Sequence, residues 1–190
     1  MRAWVMCFVG VVPREGILAL VLFAITLGAI ILGLFAVIGV VLPTRHTVSR
    51  KALFNSTTLE IWNILTDFPG QVSWRVDLGH VEILSRRGAH TVWREVYRGG
   101  QSIIFETVES IAPRLLVRRI INNRMLSGDW TCEIDAYGEV TSLMITETSE
   151  IYNPVLRLIS RFIAGGGSSV DNYLRALGQK LNTDVTIINA

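Results

Sequence analysis

The chain opens on an unbroken apolar run. From Ile17 to Leu42 it reads ILALVLFAITLGAIILGLFAVIGVVL, without one charged residue. As a helix these 26 residues reach roughly 39 Å, against a hydrocarbon core about 30 Å thick. A core helix is a poor account of it, because one small domain cannot wrap every face of so long a helix. A cleaved signal sequence has an apolar region of about 7–15 residues that ends at a small-x-small site. This run is longer and ends Val40-Val41-Leu42-Pro43. The expectation is an uncleaved single-pass transmembrane helix over 17–42, preceded by an N-terminal flank over 1–16.

After Pro43 the pattern changes. His46 to Leu53 reads as a first strand. Thr57-x-x-Glu60 forms a capping box ahead of a helix carrying Leu59, Ile61, Trp62, Ile64 and Leu65, and Pro69-Gly70 ends it. Val72 to Leu78 is a short helix or an irregular segment holding Trp74. Six strand signals follow: Val81 to Ser85, Thr91 to Tyr97, Ile103 to Ile111, Leu115 to Ile121, Asp129 to Asp135 and Val140 to Ser149. The turn residues between them leave room only for short connections, which predicts an antiparallel meander. Asn153 and Pro154 then open a long helix. Its apolar face carries Val155, Leu158, Ile159, Phe162, Val170, Tyr173, Leu174, Leu177 and Leu181, and Gly165-Gly166-Gly167 is expected to kink or break it. The fold class is α+β: a seven-stranded antiparallel sheet covered by the C-terminal helix. The domain spans 44–182, and 183–190 is a C-terminal tail.

This order resembles the helix-grip fold of the START-related SRPBCC superfamily, which includes polyketide cyclase/dehydrase-like proteins and lipid-transfer domains. Glu60-Ile61-Trp62, Leu65-Thr66-Asp67-Phe68 and Trp74 look like that group's first helix and following loop. Gly128-Asp129-Trp130-Thr131 looks like its penultimate strand. Thr146-Glu147 leading to Ile151-Tyr152-Asn153-Pro154 looks like its last strand and helix entry. The resemblance covers the whole of 44–182 and leaves out the apolar run. It implies a hydrophobic cavity, in a fold that hosts both binders and enzymes.

Composition narrows the classes. Half the residues are hydrophobic and 18% are charged, which excludes a disordered chain. A net charge of +2 leaves no footprint for nucleic acid. Cys7 and Cys132 are too few for a disulfide framework, and His46, His80 and His90 do not fall at metal-ligand spacing. No phosphate loop, dinucleotide fingerprint or Ser-His-Asp order occurs, so no metal, cofactor or catalytic motif is expected.

The last hairpin assigns faces. Pairing outward from Tyr137-Gly138 puts Trp130, Cys132 and Ile134 on one face with Leu143, Ile145 and Glu147. That face is apolar and turns inward, so Glu147 is a ligand anchor, half of an ion pair, or a strand-end residue that reaches solvent. In the neighbouring strand the larger apolar set favours Arg119 inward over Arg118, facing Glu147. Trp74, Phe105 and Phe162 complete the expected ligand cavity. Two Arg before the apolar run (Arg2, Arg14) against Arg45, Arg50 and Lys51 after it point to a cytoplasmic domain. The expected function is membrane-anchored binding or transfer of a hydrophobic small molecule or lipid. A cyclase or dehydratase acting through Glu147, and a protein-interaction module with a collapsed cavity, are the alternatives.

Overall fold

The strand signals become a single antiparallel sheet because each connection is too short to cross over. The computed structural model describes residues 14–162 and 168–189. Helix α1 (Arg14–Val41) leads into β1 (Arg45–Phe54), α2 (Thr58–Thr66) and a 3-10 turn (Pro69–Ser73). Then come β2 (Leu78–Arg87), β3 (His90–Tyr97), β4 (Ser102–Ile111), β5 (Leu115–Ile121), β6 (Leu126–Tyr137) and β7 (Val140–Ile151). Helices α3 (Pro154–Phe162) and α4 (Ser168–Lys180) follow, and β8 (Ile187–Asn189) ends the order. The sheet order is β2-β3-β4-β5-β6-β7-β1-β8. The β3–β4 and β6–β7 turns each place a glycine, Gly100 and Gly138, at positive φ, where a side chain would be strained.

The expected caps are present. The Glu60 N–H donates to Thr57 Oγ1 at 3.1 Å, and the Val155 N–H donates to Asn153 Oδ1 at 2.9 Å. The segment expected to be a tail carries an eighth strand. Ile187 and Ile188 pair with Ala52 and Lys51 on β1. The return is tight: a β-carbon on Gly178 would collide with the Val185 side chain, so only glycine lets the chain double back there.

The C-terminal helical segment divides its work. In α4, Val170, Tyr173, Leu174 and Leu177 are buried in one core with Phe54, Ile61, Leu65, Ile134, Leu143 and Ile145. Helix α3 does not continue across the sheet as expected, and Leu158 stays half exposed. Because β1 and β7 pair antiparallel, Arg45 opposite Glu150, the chain leaves β7 at the end where α1 enters β1. There α3 packs against α1: Gly39 is buried against the Pro154 backbone, and Arg157 Nη1 donates to the Leu42 carbonyl at 2.8 Å. The expected break at Gly165-Gly166-Gly167 and most of the N-terminal flank, with Cys7, lie outside the described residues. Over Gly16–Val41 the apolar helix has a mean hydropathy of 2.9 and is long and apolar enough to cross a membrane. Its large side chains from Ile17 to Val41 are exposed on all sides.

Candidate functional site

A cavity of about 540 Å³ lies between the inner face of the sheet, α4 and the segment after the 3-10 turn. Four of the expected residues line it: Trp74, Phe105, Trp130 and Glu147. Four others do not. Cys132, Ile134, Leu143 and Ile145 face inward as the hairpin register requires, but they are packed into the solid core. The apolar residues of α2 and the buried face of α4 pack over them, so the cavity is confined to the part of the sheet around Phe105, Arg118, Trp130 and Glu147. Burial pushes the Cys132 thiol up to about 11, as expected for a buried hydrophobe rather than a nucleophile. The side chain of Phe162 lies outside the described residues.

The expected arginine is corrected by one position. Strand β5 pairs with β6 so that Arg118 opposes Trp130 and Arg119 opposes Asp129. Directly opposed residues share a face, so Arg118 turns inward with Trp130 and is 4% exposed. Arg119 turns outward, is 48% exposed and holds Asp129 through Nε at 2.7 Å. The larger apolar set of β5, Leu115, Val117 and Ile121, misled the reading: it lies half exposed on the outer face.

Around Arg118 the strands bring together a polar cluster. Glu95 on β3 is 1% exposed and is the hub. Arg75 Nη1 donates to its Oε2 at 3.0 Å, and Arg118 Nη1 lies 3.6 Å from its Oε1. The Trp93 indole N–H donates to Oε1 at 3.1 Å and the Tyr97 hydroxyl to Oε2 at 2.9 Å. Arg75 also donates to Gln71 Oε1 at 3.1 Å and to Asp77 at 2.8 Å. Burial works to raise the Glu95 pKa. Arg118 first and Arg75 next outweigh it, with help from the Trp93 and Tyr97 hydrogen bonds, and the carboxyl lies below its ordinary value.

Sequence reasoning passed over Glu95, although the alternation that exposed Glu147 was available on β3: Thr91, Trp93 and Glu95 share one buried face. Arg75 had no such signal. It sits outside any strand and reaches Glu95 only through the tertiary fold.

Aromatic rings enclose the free edge of the cluster. The Arg118 guanidinium carbon stands 4.2 Å from the Trp130 ring centre, 5.3 Å from Phe105 and 5.4 Å from Tyr173. Tyr173 also meets Arg75 at 5.3 Å and packs edge-on against Trp74 and Trp130. Arg118 Nε has no hydrogen-bond partner among the described residues. Glu147 opposes Trp130 across the strands. Burial raises its pKa, while Arg118 and a hydrogen bond from Trp130 pull the other way without restoring the ordinary value. The wall therefore combines a guanidinium with unused donor capacity, a carboxyl biased toward its neutral form, and several aromatic faces.

Solved structures place this architecture. A protein from Thermus thermophilus superposes with a TM-score of 0.62 at 17% identity, over 72% of this chain and 97% of its own. A START superfamily protein from Mycobacterium smegmatis superposes at 0.58 and 17% identity, over 72% and 97%. This chain has the START-like helix-grip fold. An aromatase/cyclase from a Streptomyces species is similar to the START-like domain at the same TM-score and identity, over 73% and 94%. No sequence-family model matches the chain, and no curated protein matches it. In the START-like domain the cavity lies where the sheet and the covering helix part.

Proposed function

We propose that this is a membrane-anchored START-like domain that binds or transfers a hydrophobic small molecule or lipid carrying an acidic or strongly polar group. The observation that carries this reading is Arg118, a buried guanidinium on the cavity wall whose Nε is unpartnered and whose faces are covered by aromatic rings. Such a group can donate to a carboxylate, phosphate or enolate while Trp130, Phe105 and Tyr173 receive the apolar body. A cavity of about 540 Å³ falls inside the roughly 300–1,000 Å³ usual for ligand sites, which favours a ligand site over a collapsed interaction module. The apolar helix supports an anchor by its length and exposure, and the basic residues after it support a cytoplasmic domain. Anchoring concentrates the domain beside ligands dissolved in the bilayer. One of the similar structures is an aromatase/cyclase, which supports a polycyclic or polyketide-like ligand as one form of this class.

The test is extraction of the full chain from membranes, with mass spectrometry of what remains bound. A hydrophobic compound with an acidic or polar end is expected. Arg118→Met should weaken its retention by roughly 10–100-fold, the value of a hydrogen bond to a charged group. An empty cavity, or equal retention by the variant, overturns the reading.

Glu147 favours a second reading, acid–base turnover, because burial biases this carboxyl on the cavity wall toward its protonated, proton-donating form. Under that reading Glu147→Gln keeps binding and loses about 10²–10⁴-fold in turnover. Under simple binding no turnover is found.

A further inference from the structure

Helix α3 carries an apolar stripe that the domain does not cover. Tyr152, just before the helix, and Val155 and Ile159 within it stand at i, i+3 and i+7 on one side, and are 50, 55 and 42% exposed. Met125 is exposed beside them, its carbonyl accepting the Tyr152 N–H at 3.1 Å. Leu156 and Leu158 are half buried. The stripe stays open even though α1 is docked on the same helix.

That docking decides what lies against it. Gly39 meets the Pro154 backbone so closely that no β-carbon would fit, and Arg157 ties the Leu42 and Tyr152 carbonyls together at 2.8 and 3.1 Å. Helix α3 is thus held level with the last turn of α1. Apolar side chains are exposed around α1 as far as Val41. In a bilayer, the end of such a span marks the boundary between acyl chains and headgroups. An amphipathic helix at that depth buries its apolar face about 5–10 Å into the boundary. Arg45 and Arg124 are exposed at the same end of the sheet, within reach of anionic headgroups.

We infer that α3 is an interfacial helix, inserting Tyr152, Val155, Ile159 and Met125 into the headgroup region of the bilayer that α1 crosses. This rests on the membrane-anchored part of the proposed function. A span alone leaves a domain free to swivel on its linker; span and stripe together fix which end faces the lipid. That end is the cavity's. Trp130 and Glu147 form one rung of the β6–β7 ladder, four residues from the Leu126–Ile151 rung that leads into Tyr152. A hydrophobic ligand would then pass between bilayer and cavity over a short path.

The experiment uses the full chain in vesicles of mixed neutral and anionic phospholipid. Single nitroxide labels are placed by Val155→Cys, Ile159→Cys, Leu27→Cys and Glu139→Cys in a Cys7→Ser background. Glu139, at the exposed β6–β7 turn, is the aqueous control. Labels at 155 and 159 should collide more with dissolved oxygen than with an aqueous nickel complex, reversing the ratio found at 139. If the label at 27 lies in the bilayer while those at 155 and 159 match 139, the span stands and the interfacial helix is overturned. If 155 and 159 are shielded from both quenchers, protein covers the stripe and the inference is equally overturned. If the label at 27 is in water, the anchor reading itself fails and takes the inference with it.

Discussion

Glu95 and Glu147 stand on the inner face of one sheet, yet their carboxyls are pushed in opposite directions. Glu95 is held below its ordinary value because Arg118 and Arg75 outweigh its burial. Its contribution to stability is complete above the unfolded value near 4.5 and is lost as pH falls through the depressed folded value. Replacing it by Gln takes the nearest carboxylate from the buried Arg118 and leaves Arg75 only the half-exposed Asp77, and should cost about 3–5 kcal/mol by denaturant unfolding. Glu147 is raised by burial, so the sign reverses. The folded state binds the extra proton, and stability declines as pH rises from 4.5 through the raised value. Glu147→Gln should therefore raise the melting temperature of the ligand-free protein at neutral pH, with the gain vanishing below 4.5. Melts across the acid-to-neutral range check this; a loss of stability at neutral pH would mean that Glu147 closes a structural ion pair.

Among the elements, α4 closes the core and α3 does not. Leu174 is fully buried in the core that also holds residues of β1, α2, β6 and β7, so Leu174→Ala should destabilise by about 2–5 kcal/mol in chemical denaturation. A change below about 0.5 kcal/mol would make α4 peripheral. The β5–β6 connection matters as much for chemistry as the helix does for stability. Asn122, at positive φ, turns the chain so that Arg118 opposes Trp130. A slip of one residue would turn Arg118 to the outer face and put Arg119 on the inner face in its place, one position along the strand from where the cluster is built.

For the whole molecule, among the described residues the buried hydrophobic core contains none from α1. Deleting residues 1–43 should leave a folded START-like domain, checked by circular dichroism and gel filtration. The shortened chain should dissolve without detergent, whereas the full chain should require it. An unfolded product would make the docking of α1 on α3 part of the domain's stability. The solid half of the sheet supplies the stability that lets the other half hold an open, polar cavity.

Periodicity was enough for everything set by neighbours in the chain: the capped helices, seven of the strands, the apolar helix, and the inward face of the β6–β7 hairpin with Glu147 on it. A tight turn transmits register from one strand to the next, so face assignment there needs only parity. Where the connection is longer, as between Ile121 and Leu126, register depends on backbone angles that composition does not encode, and Arg119 was read inward in place of Arg118. Glu95 was legible from the β3 alternation and was passed over. Arg75 and Tyr173 were not, because they reach the cluster from a turn and a distant helix. The extent of the cavity was likewise decided only in three dimensions. Cys132, Ile134, Leu143 and Ile145 share the face of Trp130, and whether such a residue lines a space or fills a core depends on which helix lies above it.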